Sequence, residues 1–150
     1  MMIKTRMIRL WLPGMLAGLL CGCGGDVPDF SADVVPVSGK ISTPDGKPVA
    51  NAQVFFVPTG NTGRAAEGVT DEAGKYTLTT QNGGPGAVPG EYNVSVSKFV
   101  TPDGSPVPEG KFPADVGAVE SIPPAYSTYG QSRLNTTVPE GGGELNLLLE

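Results

Sequence analysis

The chain contains no histidine. That removes the commonest general base, the commonest transition-metal ligand and every Ser-His or Cys-His dyad. Cysteine is almost as scarce, with only Cys21 and Cys23, and the single tryptophan is Trp11. Basic residues are few, 10 against 15 acidic ones. A chain with so few cations is a poor partner for DNA or RNA, whose binding depends on Lys and Arg neutralising phosphates. The same balance argues against lying flat on anionic lipid. No apolar run approaches the ~20 residues that span a bilayer. The longest lies at the N-terminus, in Leu10-Trp11-Leu12 and Met15 to Leu20, interrupted by Pro13-Gly14.

That N-terminus carries the most specific chemistry in the sequence. Lys4, Arg6 and Arg9 form a positive region ahead of the short apolar one. Leu20-Cys21-Gly22-Cys23 then places an aliphatic residue three before Cys23 and a small residue directly before it. The pattern resembles a bacterial lipoprotein signal, with residues 1–22 removed and Cys23 becoming the lipid-bearing N-terminus. Cys21 fits less well, because Leu20 before it is large and Gly18 stands where an aliphatic residue belongs. The alternatives are an ordinary secretory signal or a buried apolar strand. Cleavage would leave 128 of the 150 residues, with seven basic and 15 acidic side chains and a net charge of −8. Lipidated, Cys23 leaves neither a disulfide nor a cysteine nucleophile. One acyl chain anchors weakly, at about 0.8 kcal/mol per buried methylene. Lipoprotein maturation, as the resemblance implies, supplies several. Residues 23–33 read as a polar, flexible tether. Gly24 is not the Asp that retains some lipoproteins in the inner membrane, so by analogy the protein faces the outer membrane or periplasm.

Residues 34–150 are long enough for one domain with a real core. Twenty-two glycines and 15 prolines could signal disorder, but regular apolar alternation argues for short strands and many turns. Strands are expected over 35–42, 52–57, 65–70, 75–80, 91–98, 133–138 and 144–149, and almost no helix outside the signal. The run 52–57 is apolar on both faces and reads as a central strand. In 91–98, Tyr92, Val94 and Val96 are expected inward and Asn93, Ser95 and Ser97 outward. Thr43-Pro44-Asp45-Gly46 and Asp71-Glu72-Ala73-Gly74 carry turn chemistry, an acid that bonds its own backbone and a glycine that takes positive φ. Seven short strands separated by turn signals point to an all-β sandwich.

Four segments then carry a resemblance. They are Val37-Ser38-Gly39-Lys40-Ile41, Gly46-Lys47-Pro48-Val49-Ala50-Asn51-Ala52-Gln53-Val54, Gly68-Val69-Thr70-Asp71-Glu72-Ala73-Gly74-Lys75-Tyr76 and Val88-Pro89-Gly90-Glu91-Tyr92-Asn93-Val94. Together they resemble the carboxypeptidase regulatory-like domain, as found in small lipoproteins of planctomycete-type bacteria. Pro123-Pro124-Ala125-Tyr126, with Ser132 and Leu134 beyond it, is similar to a late segment of those proteins. The resemblance covers roughly 34–150 and implies a seven-stranded transthyretin-like (prealbumin-like) Greek-key β-sandwich. Its motifs are turns and core positions, which specify a fold well and a function poorly. Hydroxyisourate hydrolase activity, known in the transthyretin-like class, is not implied, since its histidines and C-terminal Tyr-Arg-Gly-Ser are missing.

Sharper functional readings compete with plain ones. Asp71, Glu72 and Gly74 lack the alternating acids of a calcium loop and read as a hairpin turn. Lys40, Glu67 or Glu91, and Asn146 could form an isopeptide triad, but Lys40 and Asn146 fall on the outward register. The stretch 99–130 is long and rich in Pro and Gly, which in a compact domain points to function. Its Phe99, Phe112, Tyr126 and Tyr129 are the candidate interaction surface, against the plain reading that loop aromatics fold back over a sandwich edge. Thr43 to Val49 nearly recurs as Thr101 to Val107, best read as convergent turn chemistry making a small hairpin. No metal or cofactor is expected. The expected function is a non-enzymatic cell-envelope lipoprotein, a structural or protein-interaction module tethered through its lipid. The alternative is a carbohydrate-binding module using the loop aromatics. A hydrolase with paired carboxylates comes last, because no motif places two acids together.

Overall fold

The computed structural model describes residues 34–60, 63–81 and 84–150. Cys23, the expected signal and the expected tether lie outside them. Five strands cover the first half of the domain: β1 Val37–Ser42, β2 Gln53–Pro58, β3 Ala66–Val69, β4 Lys75–Thr77 and β5 Thr79–Thr80. Then follow β6 Gly84–Pro85, β7 Gly90–Ser97, β8 Phe99–Val100, a 3-10 turn Pro113–Val116 and β9 Val119–Glu120. One helical turn, α1 Pro124–Ser127, precedes β10 Leu134–Val138, β11 Gly143–Glu144 and β12 Leu147–Leu148. The protein is all-β. Among the described residues no helix is long and apolar enough to cross a membrane.

The strands make two main sheets and a two-stranded ribbon. The smaller sheet has β1 at its centre, with β4 antiparallel on one side and β11 and β12 parallel on the other. The larger runs β10-β7-β2-β3-β5-β6, antiparallel throughout. As its apolar sequence predicts, β2 is central, between β3 and β7. Side chains that alternate along the strands supply the two walls of one core. Val37, Ile41, Tyr76 and Leu147 come from the smaller sheet, and Val54, Phe56, Tyr92, Val94, Val96 and Val138 from the larger. Phe56 meets Tyr76 across the layers with ring centroids 6.0 Å apart.

Two of the seven expected strands differ from expectation, each for a local reason. The run 75–80 changes sheets at Leu78, whose N–H donates to the Val37 carbonyl while Thr79 and Thr80 pair with β3. The run 144–149 is interrupted by a turned peptide. The Leu145 carbonyl leaves the ladder and accepts a 2.6 Å bond from the Tyr76 hydroxyl. That geometry requires Gly39, where a Cβ would lie 1.8 Å from the Leu145 oxygen and 2.8 Å from the Tyr76 hydroxyl. The Asn146 side chain repairs the ladder, its Oδ1 accepting from the Lys40 N–H at 2.8 Å.

The turns follow the sequence. Asp71 Oδ1 accepts from the N–H groups of Ala73 and Lys75, both at 2.9 Å, and Gly74 takes φ 75°. Tyr92 buries its ring and donates to the Val88 carbonyl at 2.8 Å. The outward face of β7 is a correction. Asn93 and Ser95 point away from the core, as their register predicts, yet both are buried. The segment 122–132 straps across them: Asn93 donates to the Ser132 carbonyl at 2.7 Å and accepts from its N–H at 3.1 Å.

Candidate functional site

The stretch 99–130 is a folded lobe and strap rather than an open loop. Phe99 pairs with Glu120 and Val100 with Val119 to form the ribbon. The Glu120 carboxylate closes the base of the lobe. It accepts from the N–H groups of Lys98 at 2.8 Å and Ile122 at 2.9 Å, and from the Ser97 hydroxyl. Charge-assisted bonds of this kind are the strong ones. The repeated turn lies within this lobe and folds as its first copy does. Gly46 and Gly104 take φ 82° and 84°, their N–H groups reach Thr43 and Thr101 carbonyls at 2.8 Å, and bridges join Ser42 to Pro48 and Val100 to Pro106. In each copy a threonine hydroxyl donates to the aspartate. Those hydroxyls, of Thr43 for Asp45 and Thr101 for Asp103, are the main cause holding both carboxyls below the usual range.

The four loop aromatics occupy separate places. Phe112 stands out into solvent at 75% exposure and Phe99 sits on the ribbon, also exposed. Tyr129 is exposed at 57%, its ring held edge-on to Phe55 of β2 at 5.8 Å and 71°. Tyr126 packs against the core and its hydroxyl donates to the Glu150 carbonyl. No two of the four stack on each other. Phe55 had no place among the sequence candidates. Its position in an apolar run reads as core, and only the sheet register turns it outward beside Tyr129.

Titratable chemistry is sparse. Burial pushes the Tyr76 phenol far above its ordinary value, and burial also raises Tyr92 against the pull of its backbone bonds. Lys40 and Asn146 do come together, through the Lys40 backbone N–H rather than its ammonium, and the acid beside Asn146 is Glu144 rather than Glu67 or Glu91. The Asn146 amide donates to Glu144 at 3.0 Å, and all three residues are exposed. Glu67 and Glu91 stand on the larger sheet. The Ser95 hydroxyl is buried without a hydrogen-bond partner, so no group is placed to take its proton. Asp71 spends its carboxylate on its own turn. Among the described residues no three His, Cys, Asp or Glu side chains gather as a metal site.

Two shallow grooves run along the outer surfaces. One, of about 600 Å³, is lined by residues of β1 and β4 with Val69, Asp71 and Glu144. The other, of about 380 Å³, lies over β2, β3 and β5 around Phe55 and Glu67. Compared with protein-family models, with curated proteins and with solved structures, the chain has no match.

Proposed function

We propose that this chain is a non-enzymatic lipoprotein of the cell envelope, anchored through Cys23, whose domain is a protein-interaction module at the membrane surface. The anchor rests on Leu20-Cys21-Gly22-Cys23 behind a basic and apolar N-terminus. The transthyretin-like, carboxypeptidase regulatory-like reading is supported by strand order. In the larger sheet β7 returns, after β3, β5 and β6, to lie beside β2, the sheet's first strand in sequence, a return of the kind such sandwiches use. The observation that carries the interaction reading is Phe112, a large apolar side chain 75% exposed on a lobe clasped to the sandwich by Glu120. Phe99 and Val119 are exposed on the same lobe, and exposed apolar side chains gathered on one element mark a contact surface where a single one does not.

The experiment is co-purification from native membranes with the anchor intact. Wild-type protein incorporates a palmitate analogue, fractionates with membranes and brings down a partner. Cys23→Ala loses label and membrane association, and Phe112→Ser keeps both but loses the partner. Label retained in Cys23→Ala, or a partner retained in Phe112→Ser, counts against the corresponding half of the proposal.

A carbohydrate-binding role is the second reading, and Tyr129 favours it. Its exposed ring is fixed in orientation by Phe55, as a sugar-stacking platform requires. Glycan-array binding that survives Tyr129→Ala would remove that reading.

A further inference from the structure

We infer that the outer edge of β10 pairs two copies of this chain, the strands running antiparallel about a two-fold axis at Thr136. β10 ends the larger sheet, with β7 on one side and no described strand on the other. An unpaired edge is a template for another strand, and proteins that must keep edges apart blunt them with proline, lysine, shortness or bulges. The other edges of the two main sheets are blunted in these ways. β6 is Gly84–Pro85 alone, β4 is three residues opening with Lys75, and the run through β11 and β12 is broken at Leu145. β10 has five residues, Leu134 to Val138, with no proline, no charge and an uninterrupted register on β7.

The hydrogen-bond pattern selects a second copy and its register. The Thr59 N–H donates to the Glu91 carbonyl, so Glu91 and Asn93 aim their peptide groups at β2. The residues opposite them on β10, Thr137 and Asn135, then aim theirs at the outer edge. A two-fold axis at Thr136 sets Asn135 opposite Thr137 of the second copy, twice, and all four edge-facing N–H groups meet all four edge-facing carbonyls. Moving the axis by one residue loses bonds. At Asn135 it brings in Arg133, whose N–H is already given to the Ala125 carbonyl, and at Thr137 it brings in Pro139, which has no N–H. An axis between residues would set inner side chains against outer ones. The side chains fit the same register. Exposed Asn135 meets exposed Thr137 on the outer face, and half-buried Leu134 meets Val138 on the inner. Arg133 of each copy comes to the end where the other carries Glu140, both exposed, so opposite charges adjoin at both ends. Self-complementarity of this kind is what a two-fold interface requires. The edge uses no residue of the Phe112 lobe, so it can fail while the interaction reading stands.

The test is oxidative cross-linking of the full chain in native membranes. At the axis the two Thr136 residues form a non-hydrogen-bonded pair, with Cα atoms about 4.5 Å apart, inside the range a disulfide spans. Thr136→Cys is expected to give a disulfide-linked homodimer on mild oxidation. Wild type does not, nor does Thr79→Cys, an exposed site on β5. Purified in detergent, the wild-type chain sediments in a concentration-dependent monomer–dimer equilibrium. Thr137→Pro removes an edge-facing N–H that the monomer does not use, a substitution an edge strand tolerates. It weakens the dimer about thirtyfold, the loss of two backbone hydrogen bonds, and keeps the thermal transition of the monomer. The inference is overturned by absence of the Thr136→Cys homodimer, a link from that cysteine to a different protein in its place, equal cross-linking of Thr79→Cys, or a Thr137→Pro dimer as tight as wild type.

Discussion

Gly39 shows how one missing side chain organises its surroundings. It occupies an inward position on β1, where a core side chain is expected, and the Tyr76 hydroxyl and Leu145 carbonyl fill that space instead. Gly39→Ala forces a Cβ into a backbone oxygen at 1.8 Å. Overpacking that only a backbone shift can relieve costs about 3 kcal/mol, to be read from urea denaturation. Tyr76→Phe leaves the Leu145 carbonyl without its donor and costs about 1–2 kcal/mol. Tyr76 also gives a pH signature. Its folded-state pKa lies above the unfolded value of 10.0, because burial disfavours the phenolate. The folded state then holds more protons than the unfolded state above that pH. The contribution of Tyr76 is complete below about pH 10 and is lost as pH rises further. Tyr92 shifts in the same direction. Stability measured from pH 8 to 11 should fall at the alkaline end, and Tyr76→Phe should flatten the fall. A slope unchanged in that variant would assign it to other groups.

At the scale of elements, the lobe 99–121 is closed at its base by the Glu120 carboxylate and by Ser121, whose N–H and hydroxyl both donate to the Lys98 carbonyl at 2.8 Å. Glu120→Ala removes the acceptor of the Lys98 and Ile122 N–H groups. Hydrogen exchange in 98–122 should accelerate, with about 1–2 kcal/mol of local stability lost. Protection in β2 and β7 should not change, since their ladders do not involve the lobe. The two Thr-Pro-Asp-Gly turns were legible in sequence down to their glycines, because a four-residue turn is decided by its own φ angles and side-chain bonds. The clasp was not legible. Glu120 stands 22 residues from the Lys98 amide that it accepts from, and no local pattern links them. The strap was equally silent. Asn93 and Ser95 carry the polar alternation of a solvent face, and only the return of residues 122–132 buries them.

At the scale of the whole molecule, the first and last strands are neighbours. β1 pairs in parallel with β11 and β12, with Val37 beside Gly143 and Ile41 beside Leu147. Parallel neighbours need a long crossover, and here the crossover is the rest of the domain. Truncation after Glu144 removes the buried Leu147 and Leu149 together with the acceptor for Tyr76. Each leucine contributes about 2 kcal/mol, a large share of the ~5–15 kcal/mol that holds a domain together. The truncated chain should lose its cooperative thermal transition in circular dichroism. A transition retained within a few degrees would mean that β1 and β4 are stable without the C-terminal strand.

The sequence by itself determined the all-β class, the positions of five of the seven expected strands, the turn geometries and the inward faces of β1 and β7. These depend on side-chain alternation and on residues a few places apart, so the information is local. Phe99, Phe112, Tyr126 and Tyr129 were visible as aromatics of one stretch, but only tertiary structure separated them into an exposed lobe, a core-facing tyrosine and a ring on Phe55. The same holds for Lys40 and Lys75. They are 35 positions apart in the chain, and only the β1–β4 register sets them face to face. Charge on a strand is local information, whereas the charge it opposes depends on which strand folds against it.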